Sequence, residues 1–434
     1  EMAPIFEEAN VAADHNQLVM EVLRRVASRH NFSVILHEKP FAGVNGSGKH
    51  CNWSMSVVGS DDDANLLEPG KTPHQNLRFL TMLAAVMKGV HRHAGLLRAA
   101  IATPGNDHRL GANEAPPAII SMFLGQQLTD ICNKIDTGTN LEQNPEAAVL
   151  SLGVSKIPTI SKDNTDRNRT SPVAFTGNKF EFRAVGSSSP ISFPVTVVNA
   201  AVAEAMGEIN EALKKKIKAG KKLDAAILET VREAIVETRN VRFEGNNYSE
   251  EWVREAERRG LPNLKKAPEA IEQLLTPSSK QLFSGHKILS DAELHSRHHV
   301  MLERYVKKLT IEAEMLSSMV DTYIVPAGMK EQQLLASSIK AVTEVSRSAD
   351  VSEQTTRLNF VTSTINELLL RRKELVVQLT RVNANTSEGE RAHLLSNEVL
   401  ALMTVIRTLS DKLEDVVSDE FWPLPKYREM LFLA

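Results

Sequence analysis

From Ser290 onward the chain is built almost wholly of helix-forming sequence. Ser290 caps a helix expected to reach about Tyr323 and to be stopped by Pro326, which lacks the N–H that a continuing helix needs. Further helical stretches follow at about 329–347, 351–383 and 388–417, between short polar or Gly-containing breaks. Any fold for this chain must therefore carry a long helical region behind whatever core precedes it.

The part before Pro194 is of another kind. Val11, Leu18, Val19, Val22, Leu23 and Val26 recur at helical spacing and predict a helix over 9–29. The β-branched run Asn31–Leu36, a glycine turn and the segment Asn52–Val58 read as strand, turn and strand. A polar loop follows through Pro73, and a long helix is expected from His74 to about Ala102. Between Ala102 and Pro117, Gly and Pro are expected to exclude regular structure while Asp107, His108, Arg109 and Glu114 crowd together. Residues 126–165 are polar and partly helical. Val173–Val185 reads as a hairpin turning at Thr176–Asn178, and in its second arm Lys179, Glu181 and Arg183 alternate with Phe180 and Phe182. The period of two puts the three charges on one face. Helices are expected at 195–218, 223–238 and 249–259, the last capped by Ser249. The division is then 1–220, a mixed core, and 221–434, mostly helical.

Composition excludes several classes. A formal charge of −3 over 434 residues leaves no basic footprint for nucleic acid. Two cysteines, Cys51 and Cys132, are too few for a disulfide framework and point to a reducing, cytoplasmic setting. No apolar run approaches the roughly 18 residues of a membrane span. The chain starts at Glu1 rather than Met, and its natural beginning is expected to lie upstream.

The chemistry gathers in three places. The Asn45–Gly48 turn can offer backbone N–H groups to an anion, although no helix follows it as in a phosphate-binding loop. Taken alone it is equally a hairpin turn. His50 is a metal ligand or a structural histidine, and Glu181 is an ion-paired carboxylate or an oxygen ligand for Mg²⁺. Arg109, Arg167 and Arg169 sit in loops, and the sum suits a site that neutralises a phosphate in transfer. His295, His298 and His299 read as solvated or interface residues, and Lys214–Lys216 as a helix terminus. The segment Trp422–Lys426 reads as an anchor for a partner subunit or as a segment packing on its own helices.

These motifs carry a resemblance. Lys39–Phe41, Asn45–Gly48, His50 and Ser54, in that spacing, resemble the ATP-region signature of the glutamine synthetases. His37–Gly43, Asn106–Pro117, Arg169–Pro172 and Gly177–Arg183 resemble the type III branch, in the right order over nearly the whole chain. The resemblance implies an α+β fold, with a curved, mainly antiparallel sheet backed by helices and a long helical C-terminal region. It implies ATP-dependent ligation of ammonia to the side-chain carboxylate of L-glutamate through a γ-glutamyl phosphate, with Mg²⁺ or Mn²⁺. It also implies assembly into hexameric rings stacked as a dodecamer. A γ-glutamyl ligase for a larger amine and a non-catalytic assembly protein on the same fold are the alternatives.

By position in the motifs, His50 and Glu181 are implied as metal ligands, with Glu1 in a second metal site whose other ligands lie upstream. Asn45, Gly46, Arg109 and Arg183 are implied at glutamate. Ser54, Asn52, Lys179 and Arg169 are implied at ATP, Arg169 also facing the transferred phosphate. Glu114 is implied as the flap carboxylate that takes a proton from ammonium. Lys179 stands where an Arg is usual, which removes bidentate reach.

Overall fold

The computed structural model describes residues 2–59, 65–113, 115–138, 149–150, 160–161 and 170–426. Glu1, Glu114, Arg167 and Arg169 lie outside the described residues. Helix α1 spans Ala9–Arg29 as its periodicity requires, yet Met20 alone is buried among its residues, and Val11, Leu18, Val22 and Val26 stay exposed. The run Asn31–Leu36 is no strand. Asn31 takes a left-handed φ of 58° and turns the chain, and Phe32 and Ile35 are left exposed with no ladder to join. Strand β1 begins later, at Gly48, and ends at Trp53 rather than running to Val58.

The long helix expected after His74 is two helices, α2 (Leu77–Arg92) and α3 (Ala94–Ala100). Asn76 caps α2 by accepting from the Phe79 N–H at 3.0 Å. His93 breaks the run: its backbone leaves the helical region, and its buried ring sits 2.7 Å from Glu204 Oε2. The Gly- and Pro-rich stretch also holds a helix, α4 (Pro104–Arg109). Pro104 occupies its first turn, where a missing N–H costs nothing, and the Thr103 hydroxyl accepts from the Asn106 N–H at 3.2 Å.

Strand β2 (Met122–Phe123) leads into α5 (Gln126–Thr137), and β3 (Val149–Leu150) and β4 (Ile160–Ser161) form a separate antiparallel pair. The hairpin is present as β5 (Val173–Phe175) and β6 (Phe180–Gly186). One sheet has the order β1-β6-β5-β2; its first two pairings are antiparallel and β5–β2 is parallel. Phe180 and Phe182 point from β6 to the apolar side with Cys51, and Phe175 meets Phe180 edge-on with centroids 5.2 Å apart. Two helices back this layer, α2 and α6 (Ser192–Lys218). They approach so closely at Gly89 that a Cβ there would stand 2.8 Å from the Ala201 carbonyl oxygen.

Around this core lie α7 (Leu223–Glu237), α8 (Glu250–Arg258), α9 (Ala267–Ile271) and α10 (Pro277–Gly285). Ser249 caps α8 through the Trp252 N–H, and buried Trp252 stacks on Phe243 at 3.8 Å. Packing divides the chain into two compact units, residues 1–28 with 33–298 and residues 29–32 with 299–434. Helices α7 to α10 thus belong to the same unit as the sheet, whereas a division at residue 220 assigns them to the helical part.

The second unit takes up α11 (Asp291–Met319) beyond its first turns, then α12 (Val325–Val345), α13 (Ser352–Ala384), α14 (Glu388–Leu394) and α15 (Leu400–Glu414). Pro326 does not stop the helix. A π turn over Val320–Ile324 widens the spiral, the Val325 N–H bonds to the Val320 carbonyl, and Pro326 falls in the first turn of α12. Within the unit α13 packs on α12 and α15, burying Val361, Ile365 and Leu368 with Ala327, Ile406 and Leu413. The fold is α+β, a mainly antiparallel sheet backed by helices with a long helical C-terminal region.

Candidate functional site

The site is built on the polar face of the β1–β6 pair. Asn52 lies opposite Glu181, but the register slips by one residue between Cys51↔Phe182 and Lys49↔Val185, so Arg183 and Ala184 together face His50. Such a bulge re-aims side chains. His50 Nδ1 comes to 3.8 Å from Glu181 Oε2, and Arg183 Nε donates to the same oxygen at 2.9 Å. His50 is half exposed, Glu181 about one-fifth exposed and Arg183 buried. Imidazole, carboxylate and guanidinium therefore share one wall, as the alternation along β6 predicts.

At the far end of the strands, Ser54 and Asn52 are exposed and Lys179 is half buried. The Ser54 hydroxyl bonds to Asn65 Oδ1, and Asn65 Nδ2 donates to the Asn178 carbonyl at 2.6 Å. The hairpin turn and the end of β1 are tied together there.

At the near end lies the Asn45–Gly48 turn, read from sequence equally as an anion cradle and as a hairpin turn. Its Ser47 N–H is taken by the Glu38 carbonyl at 2.7 Å. Neither Gly46 nor Gly48 has a positive φ, so backbone conformation does not demand glycine at either place. Close approach does. A Cβ on Gly48 would overlap the Arg109 guanidinium, and one on Gly46 would stand 2.6 Å from the Glu38 carbonyl oxygen and 3.1 Å from Arg109 Cγ. Arg109, at the end of α4, is 4% exposed and donates to the carbonyls of Arg183 at 2.9 Å and Val185 at 3.3 Å, and to Asn106 Oδ1 at 3.3 Å. Its Nε has no partner among the described residues. Burial opposes the arginine's charge, and Glu38 and Tyr248 act in the other direction.

Sequence reasoning missed the supports of this wall. Glu38 lies within the His37–Gly43 motif, which implies no role for it, yet it is fully buried and its Oε1 accepts from the Ser188 N–H at 3.1 Å and from the Ser188 hydroxyl. Ser187 Oγ donates to the Leu36 carbonyl at 2.8 Å, and Lys49 donates to the Ser189 carbonyl. Three consecutive serines after β6 thus clip the segment before the turn to the strand after it. Asp107, beside Arg109, is held by buried Arg98 at 2.9 Å and by the Ala267 N–H at 2.7 Å; burial pushes its carboxyl up to about 6. No local pattern marks a carboxylate for burial, because its neighbours here come from distant segments.

A divalent ion is implied by the resemblance, and His50 and Glu181 supply one nitrogen and one oxygen on the same face, a donor pair suited to part of a Mg²⁺ or Mn²⁺ site. No group of three or more His, Cys, Asp or Glu able to hold a metal occurs among the described residues. His295 and His298 pair with Asp291 and Glu272. No helix among the described residues is long and apolar enough to cross a membrane.

Two family descriptions match this chain, "Glutamine synthetase, catalytic domain" over residues 1–120 and "Glutamine synthetase C-terminal domain" over residues 226–343. The chain belongs to the glutamine synthetase family. Along its whole length it is 44% identical to the type-3 glutamine synthetase of Dictyostelium discoideum, 43% to a glutamine synthetase of Bacteroides fragilis and 37% to one of Butyrivibrio fibrisolvens. It spans 59%, 60% and 61% of those three relatives.

Proposed function

We propose that this chain carries one wall of a site that ligates ammonia to the side-chain carboxylate of L-glutamate at the expense of ATP. The observation that carries the reading is the convergence of His50, Glu181, Arg183 and Arg109 on the β1–β6 pair, in a member of this family. A carboxylate is a poor electrophile until one oxygen becomes a leaving group, so the reaction runs through a γ-glutamyl phosphate. Phosphorylation concentrates negative charge, and the wall answers it with guanidinium groups and a place for a divalent ion at His50 and Glu181. That ion, Mg²⁺ or Mn²⁺, supplies charge neutralisation when bound.

Asn45, Gly46, Arg109 and Arg183 form the glutamate side. Support comes from Arg109, whose Nε stays available after the other donors engage β6. Ser54, Asn52 and Lys179, at the opposite end of the strands, form the ATP side, with Arg169 toward the transferred phosphate. Glu114 closes over the site and receives the ammonium proton, and Glu1 belongs to a second metal position. The whole protein works in the cytoplasm as stacked hexameric rings. The test is phosphate release in a chain of the relatives' full length, with ATP and glutamate, with and without ammonia. Release that ammonia does not stimulate refutes the reading, and stimulation by a larger amine in its place points to a γ-glutamyl-amine ligase.

A further inference from the structure

Glu38 is completely buried, and three glycines from three separate elements make room for it. A Cβ on Gly105 of α4 would overlap its Oε2, one on Gly186 of β6 would stand 2.5 Å from its Oε1, and one on Gly46 would meet its carbonyl oxygen. Oε1 is satisfied by Ser188, whereas Oε2 is buried with no hydrogen-bond partner among the described residues. A carboxylate this deep with a bare oxygen costs stability unless nearby charge compensates it. Its two oxygens sit between Gly105 of α4 and Gly186 of β6, the two elements that Arg109 joins through the Val185 carbonyl. The field of Glu38 favours the charged forms of both Lys49 and Arg109, each of which burial disfavours.

Glu38 and Arg109 make no direct hydrogen bond; Gly46 lies between the main chain of one and the side chain of the other. The coupling runs through the field and through the turn. Without a counter-charge a nearly buried guanidinium is driven toward water, which strips the Arg183 and Val185 carbonyls of their donor and moves the arginine from its place.

We propose that Glu38 is a positioning residue for the glutamate side of the site, its carboxylate holding Arg109 against β6 while its carbonyl pins the Asn45–Gly48 turn. The inference rests on the reading that Arg109 and Asn45 face glutamate. The ATP side, at the other end of β1, does not depend on Glu38.

The test is calorimetric binding of L-glutamate and, separately, of ATP to a chain of the relatives' full length. Glu38→Gln is expected to weaken glutamate binding about tenfold or more, the scale of a buried charge left unpaired, with ATP affinity within about twofold of the parent. Glu38→Asp keeps the charge and is expected to recover most of the loss. Ser188→Ala, which removes one hydrogen bond and keeps the charge, shifts glutamate affinity the same way by about two- to threefold. Glutamate binding by Glu38→Gln that is unchanged or tighter overturns the proposal, since the carboxylate then only competes with substrate for Arg109. Equal weakening of ATP overturns it too. Should Glu38→Gln fail to fold, unchanged glutamate affinity in Ser188→Ala decides against it. A parent chain that binds no glutamate overturns the functional reading instead, an outcome distinct from a parent that binds and a variant that binds equally well.

Discussion

Gly89 and Gly207 lie in the two helices that back the sheet, and replacing each by Ala is expected to act with opposite sign. Helix propensity alone favours Ala over Gly by about 1 kcal/mol in either place. At Gly207, on the exposed side of α6, nothing lies within 4 Å of the new Cβ, so the gain of about 1 kcal/mol is kept. At Gly89 the new Cβ would stand 2.8 Å from the Ala201 oxygen, 2.9 Å from its carbonyl carbon and 3.1 Å from the Val202 nitrogen. Those are main-chain atoms of α6 and cannot rotate aside. The helix must move as a body, and with it the packing of α2 on α6, where Val86, Val90, Val197 and Ala201 are all 3% exposed or less. Overpacking of a tight core costs about 1–3 kcal/mol, and a clash with backbone belongs at the upper end. Set against the propensity gain, Gly89→Ala is expected to lose about 2 kcal/mol. Urea unfolding followed by circular dichroism measures both variants against the parent. A Gly89→Ala midpoint at or above the parent's would refute the argument from close approach, and a destabilised Gly207→Ala would refute the argument from propensity.

Other expectations follow from the same structure. On the proposed function, Glu181→Gln in a chain of the relatives' full length removes the carboxylate between His50 and Arg183, so phosphate release should fall at least about tenfold, and full activity would remove Glu181 from the proposed metal site. Burial pushes the Cys51 thiol from 9.0 to about 12 and that of Cys132 to about 11. Because the folded chain holds these protons longer than the unfolded one, the stability they contribute is full below pH 9.0 and is lost as pH climbs toward about 12. A Cys51→Ala variant should flatten that decline, and rapid labelling of either native thiol near pH 8 would contradict their burial. Pro326→Ala should change stability by less than about 1 kcal/mol, since the π turn already spares the bond that a proline inside a regular helix forfeits at about 3 kcal/mol; a loss above about 2 kcal/mol would show the ring itself is needed.

Some of the fold was legible because the interactions behind it are short-ranged. The apolar spacing of α1 marks Ala9–Arg29, and Ser249 marks the start of α8 through a bond to a residue three places on. Thr176–Asn178 marks the hairpin between β5 and β6. Where the reading failed, a local cue met a longer-range fact. Asn31–Leu36 has strand-forming residues and no strand to pair with. Pro104 and Pro326 look like breakers but sit in first turns, where proline costs nothing. The helix from His74 divides where His93 turns inward to meet Glu204 from α6.

The candidate site divides along the same line. His50, Glu181 and Arg183 could be named from sequence because motif spacing and strand alternation are properties of consecutive residues. That His50 comes within reach of Glu181 at all depends on β1 pairing with β6, and the slip that sets Arg183 and Ala184 against His50 appears only in the register. Arg109 and Glu38 show the difference most plainly. The sequence places Arg109 in a loop and the resemblance sets it at glutamate, but its burial against β6 carbonyls, the glycines that make room for it and the buried carboxylate behind it exist only once α4, β1 and β6 are brought together. Periodicity and capping act between residues a few positions apart and are written in the chain. Register, burial and the charge balance of a pocket arise between segments far apart in sequence, and the folded packing alone decides which of them meet.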